Sequence, residues 1–375
     1  MRVLYFSRDY TPHDRRFLAA LASTNHVVYY LQLERREDTL EDRPLPPGIE
    51  VVQWAGGREA FDYHEGPRLL EDLKRVIDSI KPDLVHAGPI QTSALLAALS
   101  GFRPLVSMSW GYDLLQDADS SPFYRRATRY TLSRSAVMVG DCEAVRQKAI
   151  SYGMDGSRIV TFPWGVDLEK FSPDGARFKK NDADTAGTFT LLSTRGWEPV
   201  YGVDVLAKAF VLTAKKRPEI RLILLGSGSQ AGLLRRVFAK GGVLGSVLFA
   251  GQVSNADLPR YHRAADLYVS ASHSDGSSIS LLEAMACGRP AIVSDIPGNR
   301  EWVEPGVNGW LFEDGNAEAL GECILQAMED RSRLQRMGRA GRAVVERRAD
   351  WEQNFPQLLW AYELAKADAP RISNR

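Results

Sequence analysis

The sequence lacks an excess of charge of either sign. Its 375 residues include 47 Lys and Arg and 47 Asp and Glu, so the formal net charge is zero at pH 7. Proteins that bind duplex nucleic acid through its phosphates normally carry a clear positive excess. The charge balance therefore argues against nucleic acid as a partner, although one or two cations can still bind a small anion.

The sequence also has few cysteines and no long hydrophobic run. Cys142, Cys287 and Cys323 are far apart and form no C-x-x-C motif, which argues against a disulfide framework or a zinc site and favours a reducing compartment. No stretch approaches the roughly 18 apolar residues of a membrane-spanning helix, and the opening MRVLYFSRDYTPHDRR lacks the apolar core of a signal peptide. We expect a cytoplasmic protein, with peripheral attachment to the inner face of a membrane left open.

What the sequence does contain is a regular alternation of short β-branched runs and longer amphipathic segments. This βαβ pattern is typical of parallel sheets covered by helices, and the length suits two such domains. The pattern lapses at SPDGARFKKNDADTAG, residues 172–187, which we interpret as a linker. We predict an α/β protein with two Rossmann-like parallel-sheet domains, 1–171 and 188–347, that face each other across a cleft. A final helical segment, 348–375, is expected to pack back on the first domain.

The short apolar runs define the predicted strands of both sheets. They are residues 2–7, 26–33, 49–54, 84–87, 104–109 and 136–140 in the first domain, and 188–194, 221–225, 247–250, 267–270, 291–294 and 310–312 in the second. Thr11 before Pro12 predicts a helix start, and that helix runs to about Ala22. Open parallel sheets bind ligands beyond the carboxyl ends of their strands, so the residues that follow each strand are the candidates for a site.

The segment SHSDGSSISLLEAMACGRP, residues 272–290, is the most informative of these strand ends. It predicts a helix capped by Ser277 or Ser278 and ended by Gly288. The helix is apolar nearly all round and is therefore expected to be buried, so the carboxylate of Glu283 requires hydrogen-bond donors. Either a protein cation such as a nearby Arg or a ligand must supply them.

The N-terminus of this helix also suggests an anion site. Its free amides and the helix dipole favour a diphosphate, and Gly276 lets a ligand approach the backbone. Glu283, about one and a half turns further along the helix, suits the ribose of the same nucleotide, and Asp275 suits a sugar at the opposite end. Arg195, after the first strand of the second domain, is a cation for the leaving group; its alternative interpretation is a surface arginine.

Longer motifs accompany these residues. Asp275, seven residues and Glu283 are followed by AMACGRP, where a known signature has Glu, seven residues, Glu and A-x-A-x-G-x-P. PWGVDLEKF at 163–171 resembles the usual P-N-G-V-D-x-x-x-F, and STRGWEPVYGVDVLAKAF at 193–210 resembles G-R-x-x-x-x-K-G-x-x-x-L-x-x-A-F. The stretch 294–312 matches the usual ending with N-G-x-L. In this combination the chain resembles the family-four retaining glycosyltransferases of the GT-B fold, the glycosyl transferases group 1.

The resemblance implies a reaction and a donor site. It implies that a sugar moves from a nucleotide-diphosphate sugar to a hydroxyl acceptor, with retention of anomeric configuration, without metal and with no cofactor besides this co-substrate. The first domain would bind the acceptor and the second the donor, in glycan, glycolipid or cell-envelope synthesis. Arg195 and Asp275 are the catalytic candidates, contacting the diphosphate and the sugar hydroxyls. The implied donor-binding residues are Gly226, Val253, Gly276, Ser277, Ser278, Ile279, Leu282 and Glu283.

Three positions depart from the family pattern. Tyr201 stands where a Lys beside the diphosphate is usual, so one cation is missing. Asp275 is one methylene shorter than the usual Glu, which leaves the identity of the sugar open. Trp110, before Gly111, stands in place of the His of a usual His-Gly pair. We interpret this last change as a feature of a subgroup.

The first domain supplies candidates for the acceptor side. Ser7-Arg8-Asp9-Tyr10 replaces a Gly-Gly loop that is usual after the first strand. The acceptor-side candidates are Arg8, Asp9, His13, Arg15, His86, Trp110 and Asp113, although a lone histidine is more often structural or solvated than catalytic. A basic-aromatic stretch is either a solvated helix face or a contact for anionic lipid or a lipid-linked acceptor; it comprises Tyr124, Arg125, Arg126, Arg129, Tyr130 and Arg134.

Two other functions are compatible with the same motifs. A nucleotide-sugar 2-epimerase would form its product without an acceptor. A nucleotide-sugar-binding subunit that lost catalysis with Trp110 and Tyr201 would bind the donor without transfer or hydrolysis. A dinucleotide dehydrogenase is disfavoured because no G-x-G-x-x-G follows the first strand.

Overall fold

The computed structural model describes residues 1–35, 41, 43–178 and 187–372, with side chains through residue 367. The chain forms two compact units. Unit 1 is Met1–Phe162 together with the segment from Phe355 onward, and unit 2 is Pro163–Asn354. Each unit contains one parallel sheet whose strands are joined through helices, which confirms the predicted α/β fold class. None of the described helices is long and apolar enough to cross a membrane.

Unit 1 contains a seven-stranded sheet in the order β3-β2-β1-β4-β5-β6-β7. Its strands are β1 (Arg2–Ser7), β2 (Val27–Gln32), β3 (Ile49–Val51), β4 (Leu84–Gly88), β5 (Leu105–Met108), β6 (Val137–Gly140) and β7 (Ile159–Thr161). The helices of its first stretch are α1 (Pro12–Ala22), α2 (Gly66–Ile80), α3 (Ser93–Ser100), α4 (Ala118–Ser120), α5 (Pro122–Arg134) and α6 (Glu143–Ser151). Six of these strands were predicted, and β7 was not.

Unit 2 contains a six-stranded sheet in the order β10-β9-β8-β11-β12-β13. Its strands are β8 (Phe189–Ser193), β9 (Ile220–Leu225), β10 (Val247–Gly251), β11 (Leu267–Ser270), β12 (Ala291–Ser294) and β13 (Gly309–Phe312). Its helices are α7 (Val203–Lys216), α8 (Ala231–Gly241), α9 (Leu258–Ala264), α10 (Ile279–Ala286), α11 (Pro297–Arg300), α12 (Ala317–Glu329), α13 (Arg331–Arg348) and α14 (Trp351–Asn354). Each of these six strands overlaps a predicted one.

In both sheets the strand order reverses once, between β1 and β4 in unit 1 and between β8 and β11 in unit 2. The chain leaves two such neighbouring strands in opposite directions, which opens a crevice at their carboxyl ends. The loops that follow these strands carry Arg8 and Asp9 in unit 1, and Arg195 and residues 275–278 in unit 2. The topology therefore provides each unit with a place for a ligand.

Helix α1 shows how local sequence fixes one of these loops. Thr11 Oγ1 accepts a hydrogen bond from the Asp14 amide at 3.2 Å, and the Asp14 carboxylate accepts one from the Thr11 amide at 2.9 Å. Pro12 occupies the first turn, where no donor is required. This capping box fixes the helix start where the sequence predicts it.

The change from unit 1 to unit 2 comes earlier than the predicted limit at residue 171. Val166 pairs with Asp350 in an isolated bridge, and Phe171 is buried in the cluster that contains Leu281 and Met285. The stretch 163–171 therefore packs as part of unit 2. Of the predicted linker, residues 179–186 lie outside the described part of the chain.

The last helix, α15 (Pro356–Ile372), belongs to unit 1 and packs on β5, β6 and β7. Its Leu358, Ala361 and Tyr362 side chains are fully buried. Tyr362 makes a polar contact of 2.7 Å, through its hydroxyl, with His86 Nδ1 in β4. Unit 1 is thus built from two stretches of chain that are far apart in sequence.

Candidate active site

Arg195 and Asp275 meet at the switch point of unit 2. Arg195 follows β8 and Asp275 follows β11, the two strands at which the order reverses. Arg195 Nη2 and Asp275 Oδ2 are 2.8 Å apart, and only 10% and 20% of the two side chains are exposed. The two residues that the sequence predicts to be catalytic therefore form an ion pair.

The Arg195 guanidinium is held on two further sides. Its Nη1 donates hydrogen bonds to Ser278 Oγ at 3.0 Å and to Ser280 Oγ at 2.9 Å. Its Cζ lies 4.2 Å from the centre of the Tyr201 ring. Burial disfavours the charged form, but the charge of Asp275, followed by Tyr201 and other neighbours, outweighs burial and raises the pKa of Arg195. The site thus contains a permanently charged cation in a fixed position.

Helix α10 begins directly beside this cation. Ser278 occupies the predicted N-cap position, but its hydroxyl accepts no hydrogen bond from the first turn. Ser278 Oγ accepts from Arg195, and Ser277 Oγ accepts from Trp302 Nε1 at 3.1 Å. Partners that are distant in sequence have taken both hydroxyls. The Ser278 side chain therefore does not cap the first amides of α10, which suits an anion site.

The loop at Asp275 and Gly276 is packed tightly against α11. A Cβ atom on Gly298 would lie 2.3 Å from the Gly276 carbonyl oxygen and 2.5 Å from that of Asp275. Such distances leave no room for a side chain at position 298. The start of α11 therefore packs directly against the backbone of the loop that carries Asp275 and fixes the position of that loop.

The loops after β8 and β9 are also joined. Glu198 accepts hydrogen bonds from the Ser229 amide at 2.8 Å and from the Ser229 hydroxyl at 2.5 Å. Gly226 has φ of +99°, and a Cβ on it would lie 2.9 Å from the Arg195 carbonyl oxygen. The predicted donor-binding residue Gly226 thus lies against the backbone of Arg195.

Glu283 lies inside α10 with only 8% of the residue exposed. His262 Nε2, on α9, is 3.9 Å from Glu283 Oε2. Burial, assisted by Arg289 and Arg263, lowers the pKa of His262 to about 3, so this imidazole is neutral at pH 7 and does not serve as a counter-charge. Neither ring nitrogen of His262 has a hydrogen-bond partner in the described part of the chain.

In unit 1, Asp113 is used to organise its own loop. Its carboxylate accepts hydrogen bonds from the amides of Ile90 (2.9 Å), Trp110 (3.0 Å) and Leu114 (3.0 Å), and from Ser109 Oγ (2.6 Å). Burial raises the pKa of Asp113 to about 6, against these hydrogen bonds, which lower it. Asp113 therefore holds the Trp110 loop to the end of β4.

Other acceptor-side candidates lie around the end of β1. Arg8 Nε is 2.8 Å from Glu34 Oε1, and Asp9 Oδ1 accepts a hydrogen bond from Gln32 Nε2 at 2.9 Å. The His13 and Trp110 rings are 5.6 Å apart, which joins the start of α1 to the loop after β5. Arg15 lies in the first turn of α1, and its buried Nε has no hydrogen-bond partner among the described residues.

His86 does not belong to this group. It lies within β4, is 1% exposed, and contacts the Tyr362 hydroxyl. Burial lowers its pKa to about 3, so the ring is a neutral part of the core. This placement corrects the acceptor-side assignment of His86, since a residue in the middle of a central strand points into the packed interior.

Two family models match the chain. The model described as glycosyl transferases group 1 matches residues 176–344, and the model described as glycosyl transferase 4-like matches residues 2–139. A GDP-mannose-dependent monoacylated alpha-(1-6)-phosphatidylinositol monomannoside mannosyltransferase from Corynebacterium glutamicum is 31% identical over 370 residues, covering 94% of this chain and 95% of the relative. The chain belongs to the group 1 glycosyltransferases.

Further similarities place this glycosyltransferase among enzymes of the GT-B fold. A D-inositol 3-phosphate glycosyltransferase from Pseudarthrobacter chlorophenolicus is 27% identical over 342 residues, covering 85% of this chain and 81% of the relative. The solved structure of Anabaena HepE with UDP-glucose has a TM-score of 0.77 at 21% identity, covering 97% and 99% of the two chains. Sucrose-phosphate synthase from Thermosynechococcus elongatus has a TM-score of 0.80 at 18% identity, covering 98% and 100%.

Not every predicted donor-binding side chain of the glycosyltransferase is available to a ligand. Leu282 is fully buried and packs in the core with Val166 and Phe171. Val253 packs against a cluster under β9 and β10, and Ile279 against the same core as Leu282. These three side chains belong to the packing of unit 2, whereas the backbone amide of Ile279 is the first amide of α10.

Three side chains at the glycosyltransferase site were not predicted from the sequence. Ser280 accepts a hydrogen bond from Arg195, Trp302 donates one to Ser277, and His262 lies next to Glu283. A serine inside an otherwise apolar helix could have indicated Ser280. No comparable pattern marks His262 on α9 or Trp302, which follows α11. Within the described ranges, no three His, Cys, Asp or Glu side chains are grouped so that they could hold a metal ion.

Proposed function

We propose that this glycosyltransferase moves a hexosyl group from a nucleotide-diphosphate sugar to a hydroxyl of a glycolipid or cell-envelope acceptor. The observation that carries the proposal is the Arg195–Asp275 ion pair beside the start of α10. A diphosphate needs a cation and backbone donors, and a sugar needs partners for its hydroxyls. One strand-end site in unit 2 offers all of these groups.

The proposed donor lies along the start of α10. Its ribose hydroxyls donate hydrogen bonds to the Glu283 carboxylate. Its diphosphate oxygens accept hydrogen bonds from Arg195 and from the first amides of α10. The sugar hydroxyls donate to Asp275. The nucleotide sugar is a co-substrate, and the proposal includes no further cofactor.

The proposed transfer proceeds with retention and without a metal ion. As the bond between the sugar and the diphosphate breaks, its electron pair passes to the diphosphate oxygen, whose charge Arg195 and the α10 dipole stabilise. The acceptor hydroxyl attacks the anomeric carbon from the same face and gives its proton to a phosphate oxygen. The charge of Arg195 and its position beside α10 support metal independence.

The proposed acceptor is a phosphoinositol-containing lipid, bound by unit 1. Two relatives are named for D-inositol 3-phosphate and for a phosphatidylinositol monomannoside. On α5, Phe123 is 50% exposed, and its ring is 5.0 Å from that of Tyr63, which is 36% exposed. Exposed Arg125 and Arg126 follow directly. Exposed rings next to arginines suit an anionic lipid surface, so we place the enzyme in the cytoplasm, peripheral at the membrane.

A donor screen tests the proposed reaction. Calorimetry with UDP, GDP and their sugars is expected to identify one nucleotide, and Glu283→Ala is expected to weaken its binding by about thirtyfold, because a charged hydrogen-bond acceptor is lost. The melting temperature of this variant should change far less than its affinity. Equal binding by variant and parent would contradict the assigned role.

Products then separate the candidate reactions. Transfer should require an acceptor, keep the anomeric configuration in the NMR spectrum of the product, and continue in EDTA. Formation of a free sugar or an epimer without an acceptor would instead indicate a 2-epimerase. Donor binding with neither transfer nor hydrolysis would indicate a binding subunit.

Vesicle flotation tests the lipid surface. Phe123→Ser is expected to reduce flotation with phosphatidylinositol-containing vesicles several-fold, because it removes an exposed apolar ring. Leu99→Ser is the matched control, since Leu99 is 42% exposed on α3 of the same unit. Flotation that is equal with neutral phosphatidylcholine vesicles, or equal for both variants, would count against the proposal.

A further inference from the structure

Tyr201 stands at the position where the family usually has a lysine. It ends a short turn, Pro199–Tyr201, immediately before α7. Its ring is half-buried and packs against the core of unit 2. The Arg195 Cζ atom is 4.2 Å from the ring centre, so the side chain that replaces a cation is itself in contact with the remaining cation.

The contact between Arg195 and the Tyr201 ring is electrostatically favourable. The face of an aromatic ring attracts a guanidinium, and the attraction is strongest where water is largely excluded. Only 10% of the Arg195 side chain is exposed. A lysine in place of Tyr201 would bring a second positive charge towards Arg195, whereas the tyrosine ring holds Arg195 without competing for an anion.

The contacts of Arg195 with Ser278, Ser280 and Asp275 occupy at most three of its five N–H donors. Ser278 and Ser280 accept from Nη1, and Asp275 faces Nη2. The Nε atom is buried and has no hydrogen-bond partner among the residues that the structure describes. A planar guanidinium that is stacked on a ring keeps its N–H groups in one plane, so the Tyr201 ring fixes the plane of the Arg195 donors.

We propose that Tyr201 is a positioning residue for the donor diphosphate: its ring holds Arg195 so that one preorganised arginine replaces the usual pair of cations. This inference rests on the proposed function, because it assigns the diphosphate to the site of Arg195. It predicts that the aromatic ring of Tyr201, and not its hydroxyl, determines diphosphate affinity.

Calorimetry with the nucleoside diphosphate and with the corresponding nucleoside tests this role. Tyr201→Leu keeps an apolar side chain but loses the ring, and we expect the Kd of the diphosphate to rise about tenfold while that of the nucleoside stays within about twofold. Tyr201→Phe keeps the ring and should restore parental diphosphate affinity to within about twofold. If Tyr201 only stabilised the fold, its substitution would change the affinities for the diphosphate and for the nucleoside by the same factor.

Two controls make the result specific. Arg235→Gln removes an exposed cation that lies 4.4 Å from the ring centre of Phe249 elsewhere in unit 2, and should leave diphosphate affinity unchanged. In an Arg195→Ala background, Tyr201→Leu should have no further effect, because the ring then has no cation to position.

The outcomes separate the inference from the function on which it rests. If the parent binds the diphosphate and Tyr201→Leu binds it equally well, or if Tyr201→Phe fails to restore affinity, the role of Tyr201 is wrong and the proposed function stands. If the parent binds no nucleoside diphosphate, both are wrong.

Discussion

The two units have the same strand order at their centres but use buried carboxylates in opposite ways. In unit 1, Asp113 binds backbone amides and a serine of its own loop, and Asp14 closes the capping box of α1. In unit 2, Asp275 faces a cation, and Glu283 lies beside a neutral imidazole. The carboxylates of unit 1 therefore stabilise their own loops, whereas those of unit 2 lie, mostly buried, beside side chains of other elements.

The pKa values follow the same division. Burial raises the pKa of Asp14 to about 7 and that of Asp113 to about 6, although hydrogen bonds to both carboxylates oppose the shift. Burial also acts on Arg195 and lowers its pKa, but Asp275, Tyr201 and other neighbours together outweigh burial, so the pKa of Arg195 rises. The two sheets have similar topology, but unit 1 contains carboxylates with raised pKa values, whereas unit 2 contains the Arg195–Asp275 ion pair.

Removing the cation of unit 2 should give the largest effect. Arg195→Ala is expected to lower kcat by about 10² to 10³, the usual loss for one donor that stabilises a transition-state charge. Steady-state kinetics with the donor from the screen measures this. Arg217→Ala is the control, because Arg217 pairs with Glu219 on an exposed surface of the same unit. A change confined to KM would mean that Arg195 binds only the ground state.

Removing the scaffold carboxylate of unit 1 should mainly affect folding. Asp113→Ala leaves three amides and one hydroxyl without their acceptor, so we expect the free energy of unfolding in urea to fall by about 2 to 4 kcal/mol. Asp78→Ala, at an exposed position on α2, should change it by less than about 0.5 kcal/mol. Unaltered stability with a raised KM for the acceptor would return Asp113 to the acceptor-binding role that the sequence predicts.

The pH dependence of unit 2 should reveal a smaller effect at His262. Its pKa is about 3 in the folded state and about 6.5 in the unfolded state, so the unfolded chain binds a proton first and stability is lost as pH falls below about 6.5. His262→Phe removes this loss. Between pH 7 and pH 5 the parent should therefore lose about 2 kcal/mol more than the variant in urea titrations. Equal pH profiles would show that the pKa of His262 is the same in the folded and unfolded states.

Sequence patterns predicted the strands well because buried parallel strands are short, continuous apolar runs. β1, β11 and β12 begin and end at the predicted residues. β7 was not predicted because its apolar run is too short, since the strand has only three residues. The early start of unit 2 was not predictable either, because it depends on the pairing of Val166 with Asp350, far along the chain.

Site prediction succeeded where the chemistry is local and failed where it depends on distant partners. The motif that contains Asp275 and Glu283 lies at one strand end, so its spacing alone located it. Ser278 is the N-cap as predicted, but its hydroxyl makes no capping bond and instead accepts from Arg195, which is distant in sequence. The assignment of His86 failed although the predicted strand 84–87 contains it, because its partner Tyr362 lies on α15, far along the chain.

The return of the chain to unit 1 through α15 has a consequence for biosynthesis. Unit 2 is one continuous stretch, 163–354, whereas unit 1 needs residues from both before and after it. Domains generally fold as units while the chain is being made. Unit 2 can therefore complete its core first, and unit 1 must wait until Tyr362 emerges from the ribosome to meet His86.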